Sequence, residues 1–322
     1  MCQFSGLTSF AAGEGISRGG RWVTADGLQG EYRVSGESFI RVNLDGSTDA
    51  LGSVPAGGQA SIAFSFNNIA VVAGGNLYYY NTSDGFRQIT DPQIGNPIDI
   101  VWADGIFTLT DGVDLYHSDP LDEEVYETAD FGNAQFRPDL TNGLGLNEDN
   151  EVIAYGVTST EYFTNQGLDN FTYQRIELKA LKIGVMGTHC RKELNARWYV
   201  LGRREETSPT VYALQGGGSK IVATREIDKI LDTYLHESLS SAVIDAFEQD
   251  GYSFILIHLA NHSLLFNETI SESFGLDVAW SILKSDVSGT TPFRGKDFVL
   301  AGSEWTCGDR QNSKAGNTRD RH

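Results

Sequence analysis

Several groupings of side chains in this sequence have the right residue types for chemistry, and each fails on spacing or context. His258 and His262 stand four apart, which offers two imidazoles to one metal ion only on a helix. Here they flank Ala260-Asn261 between two apolar runs, where a hairpin turn and a period of two set side-chain direction. The run Gly216-Gly-Gly-Ser-Lys220 lacks the spacing of a phosphate loop, and Ile221-Val-Ala after it reads as strand rather than helix, so the glycines form a turn. Asp122-Glu123-Glu124 and Glu205-Glu206 are acidic pairs of the kind glycosidases use. Neighbours on one loop tip cannot flank a scissile bond from two sides. Cys2, Cys190 and Cys307 are odd in number and unpaired in spacing, which reads as free thiols in a reducing compartment. No Ser-His-Asp set, nucleophile elbow or haem pattern is present. The sequence therefore predicts no catalytic, cofactor-binding or metal-ligating residue, and a protein that is not an enzyme.

What these residues sit on is a recurring hairpin. Ile62-Ala-Phe-Ser-Phe66, Ile69-Ala-Val-Val-Ala73 and Leu77-Tyr-Tyr-Tyr80 are β-branched and aromatic runs separated by Asn67-Asn68 and Gly74-Gly75-Asn76. Ile98 to Trp102, Ile106 to Thr110 and Val113 to Tyr116 repeat the pattern around Asp104-Gly105 and Asp111-Gly112. Looser copies begin at Glu31, Leu144, Asn195, Gln249 and Asp297. Aligned on Phe39, Tyr78, Tyr116, Tyr162, Tyr212, Leu265 and Trp305, the copies recur every 38–53 residues or so. Such a period, with several short strands per unit, predicts an all-β fold, a β-propeller of six or seven blades. A sandwich is the competing architecture, but it rarely repeats one hairpin so often. Tyr78, Tyr116 and Tyr212 are expected to pack between blades. From Thr224 to Leu239 the period changes, and Ile227, Ile230, Leu231 and Tyr234 predict one short inserted amphipathic helix.

The expected organisation is a truncated N-terminal remnant over 1–14, the propeller over 15–309 and a disordered polar tail over 310–322. With the last strand, Asp297 to Cys307, so near the end, the chain is expected to be either an incompletely closed ring or prone to aggregate, despite its acidic charge. A formal net charge of −19 argues against a phosphate-neutralising DNA-binding surface, which needs clustered Lys and Arg. No basic, apolar leader and no run of about 18 apolar residues is present. The sequons at Asn81, Asn170, Asn261 and Asn267 are read as chance.

One further pattern is specific. Gly187-Thr-His-Cys190, Ser208-Pro-Thr-Val-Tyr-Ala-Leu-Gln-Gly-Gly-Gly218, Ile221-Val-Ala-Thr-Arg-Glu-Ile-Asp-Lys-Ile-Leu231, Ile257-His-Leu-Ala-Asn-His-Ser-Leu-Leu-Phe-Asn267, Trp280-Ser-Ile-Leu-Lys284 and Thr306-Cys-Gly-Asp309 occur in order. With them the chain resembles the packaged-DNA stabilisation proteins, the tail accessory or nozzle proteins of short-tailed bacteriophages. The resemblance runs from about Gly6 to Asp309. It implies a late virion protein, made in the bacterial cytoplasm and resident in the tail. There it would form a homo-hexameric ring beside portal, adaptor, needle and tailspike proteins. The ring would retain packaged DNA and conduct it at ejection without binding it tightly. A glycan-binding or glycan-cleaving propeller, such as a receptor-binding tail protein, is the alternative, motivated by Tyr78-Tyr79-Tyr80 and Trp198-Tyr199.

Overall fold

Alternating apolar strands joined by tight turns leave each hairpin with two apolar faces, and neither can be buried by the hairpin alone. In a computed structural model, which describes residues 8–12, 15–127, 131, 132, 134, 136, 137, 139–168, 171–285, 291–311 and 314–317, both faces are covered by other copies of the unit. Seven antiparallel sheets form, six of four strands and one of five. They are the seven blades of a β-propeller. Blades 1 to 6 cover residues 17–53, 61–89, 99–132, 141–175, 184–221 and 243–282.

Blade 7 joins the two ends of the chain. Its strands Gly295–Ala301, Glu304–Asp309 and Lys314–Asn317 are completed by Thr8–Ala12, which pairs antiparallel to Lys314–Asn317. Three expectations are corrected here: the open ring, the disordered tail for Lys314–Asn317, and the remnant for Thr8–Ala12. The propeller extends past both 15 and 309. Both strands are short and mostly small or polar, so no apolar period marks them. Backbone pairing with a partner some 300 residues away makes them strands. The rest of 1–14 and of 312–322 lies outside the described residues, as do Cys2 and Asn170.

The helix content also departs from expectation. The connection between blades 5 and 6 holds two helices, α1 (Arg225–Leu231) and α2 (His236–Ser240), and α3 (Glu268–Phe274) lies between the last two strands of blade 6. Asn267 caps α3 by accepting the Ile270 N–H at 2.8 Å, a side-chain cap of the kind that starts a helix. No helix among the described residues is long and apolar enough to cross a membrane.

Successive strands reverse direction, so the first turns of all blades project from one face of the ring and the second turns from the other. Asp104-Gly105, both with positive φ (53° and 84°), is a two-residue turn of the type that matches strand twist.

Apolar clusters fill the space between neighbouring blades. Tyr32, Phe39, Val71 and Tyr78 join blades 1 and 2; Tyr79, Phe107 and Leu109 join 2 and 3. Leu115, Leu144 and Phe163 join 3 and 4, and Tyr155, Val200 and Tyr212 join 4 and 5. Blades 5 and 6 share the largest cluster with Ile227, Leu231 and Leu239 of the helices. Phe247, Phe254 and Phe298 join 6 and 7. Tyr78 and Tyr212 thus pack between blades as expected, while Tyr116 is half-buried at the margin of its cluster, its hydroxyl on Asp111 at 2.6 Å. Tyr79 and Tyr199 are buried, so the aromatics that suggested a glycan surface are largely core.

Candidate functional site

In each blade the first strand is an edge, and its unpaired backbone faces the propeller axis. Unpaired edges are costly when shut away from water. This chain satisfies two of them with side chains from other blades. Leu144 in blade 4 donates its N–H to Asp99 Oδ2 of blade 3 at 2.6 Å, and its carbonyl accepts from Arg191 Nε of blade 5 at 2.8 Å. Arg191 also pairs with Asp99, whose other oxygen takes the Ser61 hydroxyl at 2.5 Å. Blade 7 repeats the device. The Asp297 N–H meets Asp245 Oδ2 of blade 6 at 2.8 Å, and its carbonyl accepts from Arg33 Nη1 of blade 1 at 2.9 Å. Asp297 lies in a bulge with φ +58°, a conformation non-glycine residues hold only when their surroundings dictate it.

The seam between blades 7 and 1 is built the same way. Arg33 and Glu31, both buried, pair with each other. Arg33 Nη2 reaches Thr306 Oγ1 at 3.0 Å, and that hydroxyl donates to Glu31 at 2.8 Å. Ser17 donates to Asp297 Oδ2 at 2.5 Å, and Gln59 donates to its other oxygen. A side chain at Gly308 would meet Ser17 Oγ at 2.2 Å, so only glycine lets the blades close here. Next to it, Asp245 accepts from His258 Nε2 at 3.0 Å. Burial pushes Asp245 up, but the His258 hydrogen bond and charge outweigh it and hold the carboxyl below its ordinary value.

Toward the face of the first turns the axis opens into a cavity of about 510 Å³, walled by Phe64, Trp102, Trp198, Arg21, Glu148 and Glu193 and floored by Asp99, His189, Arg191 and Asp297. A second space of about 330 Å³ opens on the opposite face, and His189 and Gln59 border both. Burial lowers His189 to about 4, so the ring is neutral at pH 7.

The residues weighed from sequence do not converge. His258 is buried on Asp245, whereas His262 lies in a turn with Nδ1 on the Tyr234 hydroxyl at 2.5 Å. Gly216-Gly217 is a turn with φ +55° and +81°. Glu123 accepts from Ser65 and Asn68, while Glu124 and Glu205 pair with Arg87 and Arg137. Cys190 and Cys307 are buried free thiols pushed up to about 12. Among the described residues no three His, Cys, Asp or Glu side chains are grouped to hold a metal ion. Sequence reading missed the axial set of Asp99, Arg191, Asp245, Asp297 and Arg33. The available signal was a lone charge in an apolar strand, as in Ile98-Asp-Ile-Val-Trp102 and Val243-Ile-Asp-Ala-Phe247.

Solved structures share this architecture at low identity. The extracellular domain of a one-component system from B. thetaiotaomicron superposes with a TM-score of 0.63 at 10% identity, covering 99% of this chain and 40% of that one. Virginiamycin B lyase from Staphylococcus aureus gives 0.59 at 11% identity, covering 97% and 98%. These likenesses concern the fold alone. In sequence, the chain is 26% identical over 330 aligned positions to the tail hub protein gp10 of Salmonella phage P22, covering 97% of this chain and 67% of that protein. A family profile described as bacteriophage P22 Gp10, β-propeller, matches residues 1–321. This chain therefore belongs to the bacteriophage P22 Gp10 β-propeller family.

Proposed function

We propose that the chain is a structural component of a phage tail, one copy of a ring-shaped nozzle below portal and adaptor, and that it is not an enzyme. The observation that carries this reading is kinship with a tail hub protein along nearly the whole chain. Retention of packaged DNA and its conduction at ejection are the roles proposed for the ring.

The propeller's own axis is no conduit for a duplex. The longest inner strands, of seven residues at about 3.3 Å each, make the axis roughly 20 Å deep. A tube as wide as the roughly 12 Å major groove alone would use up 510 Å³ in about 5 Å of length. His189, Gln59 and the Asp99–Arg191 pair close off the remainder. A duplex handled by this protein would therefore pass along the outer surfaces of several copies. A net charge of −19 suits such a wall, because like charge removes the counterion release that makes proteins cling to DNA. Portal, adaptor, needle and tailspike proteins are the proposed neighbours, a hexamer the proposed ring, and the virion tail the proposed location.

Negative-stain imaging of the protein mixed with portal and adaptor tests the assembly. Rings with an opening wide enough for a duplex, seated on the adaptor, are expected; propellers that never join the portal would reject the reading. In a gel-shift titration near physiological salt no retardation of duplex DNA is expected, and tight, salt-sensitive binding would overturn the conduit.

A further inference from the structure

We propose that the axial cavity on the first-turn face is a socket for an extended, Lys- or Arg-bearing segment of a partner protein. Three independent features of that cavity point to a basic peptide.

The first is charge. The seven first turns span residues 24–29, 65–68, 104–105, 147–151, 195–196, 250–251 and 302–303. They contain six carboxylates (Asp26, Asp104, Glu148, Asp149, Glu151 and Asp250) and no Lys or Arg; of these Glu148 lines the cavity, with Asp99, Glu193, Asp245 and Asp297 against Arg21, Arg191 and Lys192. Asp149 and Glu151 share Lys179, whereas exposed Glu148 at the cavity wall has no ion-pair partner among the described residues. The second turns on the opposite face carry five carboxylates (Glu37, Asp111, Asp114, Glu205 and Glu206), offset in part by Arg204 and Arg310.

The second is the aromatic wall. Phe64, Trp102 and Trp198 border the cavity, and Phe66, 75% exposed, stands edge-on to Trp102 with ring centroids 5.1 Å apart. Ring faces beside carboxylates are what guanidinium and ammonium groups seek. The cavity already holds guanidinium groups in this manner: Arg21 lies over Phe64 at 5.6 Å with Glu193 nearby, and Arg191 lies over Tyr155 at 5.3 Å while pairing with Asp99.

The third is the indole N–H groups of Trp102 and Trp198, buried with no hydrogen-bond partner among the described residues. Small movements of these half-buried rings would let carbonyls of a seated backbone accept from them, relieving a desolvation cost. A single cation would bring no such acceptors, and a duplex cannot enter. A peptide supplies both cation and carbonyls.

Calorimetric titration with acetyl-Gly-Arg-Gly-Arg-Gly-amide, and with the same peptide carrying neutral citrulline for arginine, tests the proposal. One-to-one binding is expected, about tenfold weaker for citrulline and about fivefold weaker for Glu148→Gln. Asp277→Asn, an exposed carboxylate beyond α3 and outside the cavity lining, should leave it unchanged. Arg21→Ala should strengthen binding several-fold, because it frees a ring face and Glu193. Absence of saturable binding, equal affinity for citrulline, or an Asp277→Asn loss matching that of Glu148→Gln overturns the socket. So does weaker binding by Arg21→Ala, which would mark the cavity as an anion site, or tighter capture of a neutral oligosaccharide at the same walls.

Discussion

The interface between blades 2 and 3 and the seam between blades 7 and 1 do the same geometric task with opposite chemistry. Between blades 2 and 3, Tyr79 and Phe107 pack with ring centroids 5.2 Å apart, both fully buried. The ring contact is non-directional, and the Tyr79 hydroxyl beside it is satisfied by Tyr126 at 2.7 Å and the Glu123 carbonyl at 2.8 Å. At the closing seam Arg33, Glu31, Ser17, Asp297 and Thr306 are buried instead, each hydrogen-bonded across or beside the gap. A buried ion pair contributes little net stability over an apolar filling, but losing one partner strands the other. The blades that follow one another in sequence are held mainly by shape, with polar links such as Ser61–Asp99 at the axis. The blades that must find each other from opposite ends of the chain are held by partners that tolerate only one register.

The largest effect should come from the apolar side. Phe107→Ala removes a fully buried ring and should cost about 3–5 kcal/mol, read as a lower chemical-denaturation midpoint with unchanged slope. An unchanged midpoint would mean the blade interface is not what holds blades 2 and 3. Arg33→Met comes next, at about 3 kcal/mol, because Glu31 loses its charged partner, keeping only the Thr306 hydroxyl, and the Asp297 carbonyl loses its donor in a dry seam. Adding Glu31→Leu to it should return much of that stability, since the stranded charge is gone. If the double variant is no better than the single, the seam is held by more than charge pairing.

The smallest effect is acid sensitivity, which should belong to the axis and seam and not to the aromatic interfaces. His189 takes up its proton near 6.5 when unfolded but only near 4 when folded. Its contribution is therefore fully present above pH 6.5 and is lost as pH falls from there toward 4. The ring borders water in the cavity, so the loss should be about 1–2 kcal/mol, below what the full shift would give. Denaturation midpoints of His189→Gln should be flatter over that window, and a parallel decline in parent and variant would place the sensitivity elsewhere. Asp245 acts lower: held below its ordinary value, it stabilises the fold above about 4 and ceases to as pH drops through its folded value.

The hairpins were legible because their code is local. Ile69-Ala-Val-Val-Ala73, Gly74-Gly75 and Leu77-Tyr-Tyr-Tyr80 state a strand, a turn and a strand within a dozen residues, and recurrence of that statement defines a propeller. Family membership was legible for a similar reason, since Gly187-Thr-His-Cys190 and the stretches after it keep their order along the chain. Non-local features were not. Asp99 and Arg191 stand 92 residues apart, and Asp297 and Arg33 264 apart; no periodicity links them, and each looks like an isolated charge in a strand. Thr8–Ala12 and Lys314–Asn317 carry no apolar pattern because their pairing is through the backbone, which every sequence possesses. The repeating unit, its turns and the family kinship follow from residues close together in the chain. Only the closed ring decided which edges meet, because closure brings distant backbone groups out of water together and obliges particular side chains to satisfy them.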